Sequence, residues 1–195
     1  MSDLHLGHRL VSELRGFASP DQHDEVILNN LREIPDRVTL VCLGDISVRR
    51  DDEALQRLGE LKREKSFTMI LVPGNHDCVH PMCGMDSVVE WTPKYKEVFD
   101  VISLDLQVRI GRWLVLLTHI PRTVGEFAVV DPNQTDKLAR WAAREGFECT
   151  VHGHAHSDVA IQRKNANVSL EATGLHPVSL EALEEMVTKA VRLKH

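Results

Sequence analysis

Long apolar runs are missing from this 195-residue chain. None approaches the ~20 residues that cross a bilayer, and the first residues lack the apolar stretch of a secretory signal. A cytoplasmic protein with no membrane partner is therefore expected. Cysteine is scarce: Cys42, Cys78, Cys83 and Cys149 stand in no zinc-finger spacing and are too few for a disulfide scaffold. Basic charge is in deficit, with 23 Lys+Arg against 29 Asp+Glu and a net charge of −6. Aromatic residues make up only 5% and interleave with no basic patch. Proteins that ride a nucleic-acid backbone draw most of their affinity from clustered basic residues and stacking aromatics, so no stable nucleic-acid binding is expected. Repeats, low-complexity tracts and Pro/Gly/Ser-rich linkers are also absent, which leaves a single domain over residues 1–195 as the expectation. What is present is ordinary for a globular core: 43% apolar and 27% charged residues, enough to exclude a disordered tail.

Short apolar runs alternate with helical patterns. Val38–Leu43 and Phe67–Val72 suit strands buried on both faces. Between them Leu55, Leu58 and Leu61 recur through Asp51–Glu64, an amphipathic helix. Ile27, Leu31 and Ile34 mark a second helix over Asp24–Ile34. Leu106–Ile110, the Gly111-Arg112 turn and Trp113–Thr118 predict a hairpin. Gln134–Glu145 reads as a helix closed by Gly146, followed by strands near Asp158–Gln162 and Asn167–Ala172. A last helix over Leu180–Arg192 has Ser179 as N-cap and Lys189, Arg192 and Lys194 as a basic last turn. The pattern predicts an α/β layered domain.

Polar clusters follow the apolar runs. Leu43 leads into Gly44-Asp45, Val72 into Pro73-Gly74-Asn75-His76-Asp77, Leu117 into Thr118-His119, and Val151 into His152-Gly153-His154-Ala155-His156. The carboxyl ends of strands in open α/β sheets converge on one crevice, where ligands bind. The N-terminus adds Asp3-Leu4-His5, and in extended backbone residues i and i+2 point to one side, so Asp3 and His5 can grip one ion together. Asp3, His5, Asp45, Asn75, His119, His154 and His156 make seven donors. If Asp45 bridges, they supply four contacts to each of two ions. Imidazole and oxygen donors without thiolate suit Mn, Fe, Zn, Co or Ni and disfavour a structural zinc site.

The ordered motifs D-L-H, G-D, G-N-H-D, H and G-H-A-H, running from Asp3 to His156, resemble the calcineurin-like metallophosphoesterase family. The short chain and the ending from Asn167 to Glu181 are similar to its small stand-alone bacterial or phage members. That resemblance implies a four-layer α/β/β/α sandwich of two packed mixed sheets flanked by helices, here with its first strand cut to Met1 and Ser2. The expectation is a true start upstream of Met1. The resemblance also implies two divalent ions, manganese ahead of the others. Asp3, His5, Asp45 and His156 would hold one; Asp45, Asn75, His119 and His154 would hold the other. His76 would serve as acid or electrostatic stabiliser at the leaving group, with Asp77 orienting it. The implied activity is metal-dependent hydrolysis of a small phosphodiester or phosphomonoester by attack of a metal-bridging hydroxide. If the chain is phage-encoded, its place is the host cytoplasm. The alternatives are a nuclease on polynucleotide and a protein-binding scaffold with an impaired metal site.

Other residues carry expectations of their own. His8, Arg9 and Arg122 are candidates for contact with substrate phosphate, each weighed against a solvated side chain. His152 is read as a packed histidine behind the ligands. Cys78, His80 and Cys83 are assigned to a flexible loop with incidental thiols. Ile120 stands where the family often has an aromatic, so no base stacking is expected there. A homodimer is a candidate assembly, with Trp91, Trp113 and Phe127 serving core or interface. The segments Arg49–Asp52, Cys78–Trp91 and Arg122–Gln134 are the candidate specificity loops.

Overall fold

The computed structural model describes residues 1–122 and 138–193. They fall into two compact units, one of Asp3–Leu104 and one of Met1–Ser2 with Asp105–His195. No helix among the described residues is long and apolar enough to cross a membrane.

The Asp3–Leu104 unit is built on three parallel strands, β1 (Thr39–Cys42), β2 (Thr68–Leu71) and β3 (Val101–Ile102), in that order across the sheet. Leu40, Cys42, Met69 and Leu71 are buried, while Thr39 and Thr68 are exposed and Val41 and Ile70 half-buried. The two-faced burial expected of these runs thus gives way to alternation, because each strand begins with an exposed threonine and packs one face tightly. Four helices accompany the sheet: α1 (Arg9–Leu14), α2 (Pro20–Arg32), α3 (Asp51–Lys65) and α4 (Met85–Val98). Helix α2 starts four residues before the predicted Asp24, because the Ser19 hydroxyl accepts the Gln22 N–H and Pro20 occupies the first turn. Helix α3 buries Leu55, Leu58 and Leu61 as their spacing predicts, carries acids in its first turn and bases in its last, and ends at Ser66 in the left-handed region (φ 55°).

The loop expected over Cys78–Trp91 is largely helical. A 3₁₀ turn at Pro81–Cys83 is capped by His80, whose ring accepts the Met82 N–H, and α4 begins at Met85. Cys83 donates its thiol to the Asp77 carbonyl, so the thiols belong to an ordered turn. Pro93 lies inside α4, where it removes one helical hydrogen bond and hides the helix from pattern reading.

The other unit holds a mixed five-stranded sheet in the order β4-β5-β6-β8-β7: β4 (Leu106–Ile110), β5 (Trp113–Leu117), β6 (Cys149–His152), β7 (Ile161–Gln162) and β8 (Asn165–Asn167). Strands β4 and β5 form the predicted hairpin, β5, β6 and β8 run parallel, and β7 is antiparallel to β8. Only this second sheet is mixed; the first is wholly parallel. Strand β6, with a parallel neighbour on each side, is buried along its whole length. Strand β8 ends at Asn167, earlier than expected, because at Ser169 the pairing passes to Ser2 and a turn follows from Ser169 to Ala172.

The helix predicted over Gln134–Glu145 begins outside the described residues, as do Phe127, Lys194, His195 and most of the Arg122–Gln134 loop. Of its described remainder, Leu138 and Ala139 are helical and a turn follows: Trp141 and Ala142 donate to carbonyls three residues back, and Ala143 donates to Pro121 instead of continuing the helix. The last helix, α5 (Leu180–Arg192), matches its prediction to the residue, with Ser179 accepting the Ala182 N–H. Trp113 in β5 donates its indole N–H to Thr188 of this helix (3.1 Å).

Candidate metal centre

Strands β1 and β2 are parallel, so their carboxyl ends lie at one edge of the first sheet and release Gly44-Asp45 and Gly74-Asn75-His76-Asp77 side by side. The N-terminal motif joins them through its backbone. Asp3, His5 and Leu6 donate to the carbonyls of Gly44, Asp45 and Ile46 at 2.9–3.0 Å. This pairing holds the candidate ligands Asp3 and His5 in place. The geometry differs from the extended one expected: Asp3 (φ 60°) and His5 (φ 48°) are both left-handed. Their side chains still converge. His5 Nε2 lies 3.8 Å from Asp3 Oδ1 and 3.8 Å from Asp45 Oδ2, with all three residues buried. These distances are too long for hydrogen bonds. They fall within the roughly 4.4 Å that two donors can span across one ion at ~2.2 Å from each.

Asp77 binds the two loops together. Its fully buried carboxylate accepts the N–H groups of Asp45 (2.9 Å), Ile46 (2.9 Å) and Gly74 (2.7 Å). Burial and the neighbouring Asp45 push its carboxyl up to about 7, against the pull of those amides. Asp77 thus serves the backbone of both loops rather than the His76 ring, which corrects the orienting role implied for it. Behind it Asp51 accepts from the Ser47 and Tyr95 hydroxyls and from the Cys78 N–H, a buried polar network that pattern reading did not find. Two glycines make the close approach of the loops feasible. Gly44 sits at φ 86°, and a Cβ on it would overlap the Gly74 amide; one on Gly74 would overlap the Asp45 carboxylate.

In the second unit β5 and β6 are parallel and release Thr118-His119 and the 152–156 cluster at one edge. Gly153 donates to the His119 carbonyl (3.1 Å), and the His119 and His154 rings meet edge-on with centroids 5.2 Å apart. Their ligand nitrogens lie within 4.8 Å of each other. His154 (φ 66°) and His156 (φ 43°) are left-handed, as is Asp45 (φ 53°). Left-handed backbone outside glycine costs roughly 1–3 kcal/mol per residue and clusters at functional sites. Five of the seven predicted ligands, Asp3, His5, Asp45, His154 and His156, carry it. His156 Nδ1 pairs with Glu171 Oε1 (2.8 Å), which fixes the tautomer with its lone pair on Nε2. Glu171 lies 15 residues downstream and gave no local signal in the sequence. His152 is fully buried, as expected, and donates Nδ1–H to the Gly153 carbonyl (2.7 Å). Burial, with a contribution from His119, pulls its pKa down to about 4, so it is neutral.

The remaining candidates divide. His76 is exposed, its N–H donates to Asp45 Oδ1 (3.0 Å), and its ring lies 6.0 Å from that of His5. The His8 ring is 5.8 Å from that of His5. Arg9 is exposed and paired with Glu13, the solvated alternative weighed for it. Arg122 donates to the Phe147 carbonyl (3.0 Å), a structural bond. Ile120 is buried and offers no stacking surface.

Residues 1–174 match the calcineurin-like phosphoesterase superfamily domain. The chain belongs to this superfamily. It is 29% identical to the Gene 66 protein of Mycobacterium phage L5, over 89% of this chain and 86% of that one. It is 32% identical to the Gene 66 protein of Mycobacterium phage D29, over 81% and 77%. Its fold matches the crystal structure of a protein of unknown function from Aquifex aeolicus with a TM-score of 0.66 and 24% identity, covering 95% and 96% of the two chains. This calcineurin-like chain is thus a phosphoesterase of the metal-dependent type. Its residues fit divalent cations: Asn75 Oδ1 is buried with no hydrogen-bond partner among the described residues, a loss of ~1–3 kcal/mol that a cation would make good.

Proposed function

We propose that the protein hydrolyses a small phosphodiester or phosphomonoester with two divalent ions, manganese foremost. Asp3, His5, Asp45 and His156 hold one ion, and Asp45, Asn75, His119 and His154 the other. The observation that carries this reading is His5 standing 3.8 Å from both the Asp3 and Asp45 carboxylates, buried and beyond hydrogen-bond distance. When bound, such a pair of ions supplies positive charge to the phosphoryl oxygens and makes water acidic enough to act as nucleophile near neutral pH. The chain's own residues do the rest. Asp45 is the shared ligand, and its Oδ1 is oriented by the His76 N–H. Asp77 fixes the backbone from which Asp45 and Asn75 project. His76, exposed at the rim, donates a proton or positive charge to the departing alkoxide. A cytoplasmic location, in the host for a phage-encoded chain, fits the four free cysteines.

The test is hydrolysis of bis-p-nitrophenyl phosphate beside p-nitrophenyl phosphate, with Mn²⁺ added and then chelated. Turnover that needs the metal and is lost in Asp45→Asn supports the reading. Metal-independent turnover, or silence on both esters, removes it.

A further inference from the structure

Asp3 and His5 lie in strained backbone at the very start of the described chain, and something beyond their two ladder bonds must fix that conformation. Arg15, at the end of α1, reaches back to them. Its Nη2 donates to the Asp3 carbonyl (2.7 Å) and its Nη1 to the Leu4 carbonyl (3.2 Å). The same Nη1 lies 2.9 Å from His23 Nε2. A guanidinium only donates, so His23 Nε2 accepts and the ring proton sits on Nδ1. That proton is directed at Asp24 Oδ1, 2.8 Å away. The Asp24 carboxylate in turn accepts the Gly7 N–H at 2.8 and 3.1 Å and pairs with Arg57 at 3.2 Å. His23 and Asp24 are buried, so this chain of charge-assisted bonds runs out of water and grips the Asp3–Gly7 segment at both ends.

We propose that Arg15, held by His23 and Asp24, is the positioning residue for the ion bound by Asp3 and His5, and selectively for that ion. The inference rests on the reading that Asp3 and His5 are metal ligands. Arg15 sets the carbonyls of the Asp3–Leu4 and Leu4–His5 peptides and thereby the direction of both ligand side chains. Asn75 projects from the loop after β2, to which Arg15, His23 and Asp24 make none of these bonds, so the ion it holds is spared. Residues behind metal ligands typically change affinity about 10- to 100-fold when replaced.

The experiment titrates metal-free full-length protein with Mn²⁺, following free Mn²⁺ by electron paramagnetic resonance. Amide hydrogen exchange of residues 3–7 is measured in parallel without metal. Arg15→Lys keeps the charge but loses the fork, and His23→Leu removes the acceptor. His23→Gln keeps one acceptor and one donor and serves as the rescue. The expected result is two ions in the parent protein and, in Arg15→Lys and His23→Leu, one of the two weakened on the order of 10- to 100-fold. In both variants the His5 and Gly7 amides exchange faster, while His23→Gln stays near the parent on both readouts. Two ions bound unchanged, or both weakened alike, overturns the proposal. If Arg15→Lys fails to fold, the His23 pair decides alone. If the parent binds no Mn²⁺, it is the reading of Asp3 and His5 as ligands that fails.

Discussion

Asp77 shows how much of the site depends on a residue that need touch no ion. One buried carboxylate satisfies three main-chain donors from two loops, and removing it leaves those donors in a dry interior. An unsatisfied buried donor costs ~1–3 kcal/mol, so Asp77→Ala is expected to cost about 3 kcal/mol or more. Mn²⁺ binding should fall with it, because Asp45 and Asn75 lose their common frame. Chemical denaturation and a Mn²⁺ titration check this; a variant of parental stability would show that the amides find water instead. His76→Ala is expected to behave oppositely. Its exposed ring supports nothing buried, so its loss lowers turnover by about 10²-fold or more while stability and metal binding stay as they were. Kinetics beside a thermal melt separate the two effects.

At the scale of elements, helix ends and strand entries give graded tests. The Ser179 hydroxyl caps α5 by accepting the Ala182 N–H, and Ser179→Ala is expected to cost about 1 kcal/mol, read as a lower unfolding midpoint. Asp100 ties α3 to the start of β2 and β3: Lys62 Nζ donates to it (2.8 Å), as does the Met69 N–H (2.7 Å). These two bonds hold its carboxyl below the ordinary carboxylate range. A lowered carboxyl pKa stabilises the fold above the unfolded value of ~3.9 and loses that effect as pH falls through the folded value. Asp100→Asn should therefore melt lower than the parent at pH 7, with the gap closing toward pH 3. The ion pair is half in water, so the gap corresponds to less than about 1 kcal/mol. A gap of the same size at both pH values would contradict the assignment.

For the whole molecule, a resident cation of the kind proposed would make metal binding and folding one equilibrium. A cation bound only by the folded chain stabilises it by ~2.7 kcal/mol at a hundredfold excess over its Kd. Mn²⁺ is expected to raise the unfolding midpoint and a chelator to return it, with Asp45→Asn insensitive to both. A midpoint indifferent to metal in the parent protein would argue against a resident ion.

Elements whose information is local could be read from the sequence alone. Leucines three apart specify α3, a serine three residues before an amide specifies the start of α5, and a glycine-arginine pair between apolar runs specifies the β4–β5 hairpin. The candidate ligands were legible as a pattern too, because Asp, Asn and His in short clusters after the apolar runs form an ordered set. Tertiary structure decided the rest. The left-handed turns at Asp3 and His5 depend on carbonyls some 40 residues away and on Arg15, and no propensity within the D-L-H motif demands them. Asp77 reaches Asp45 across 32 residues, and Glu171 reaches His156 across 15. Helix α4 survives its own Pro93 because Tyr95 and Val98 are buried, and the helix expected before Gly146 stops because Ala143 bonds to Pro121. Propensity acts over about one helical turn, whereas a buried hydrogen bond or a packed side chain outweighs it from any distance along the chain.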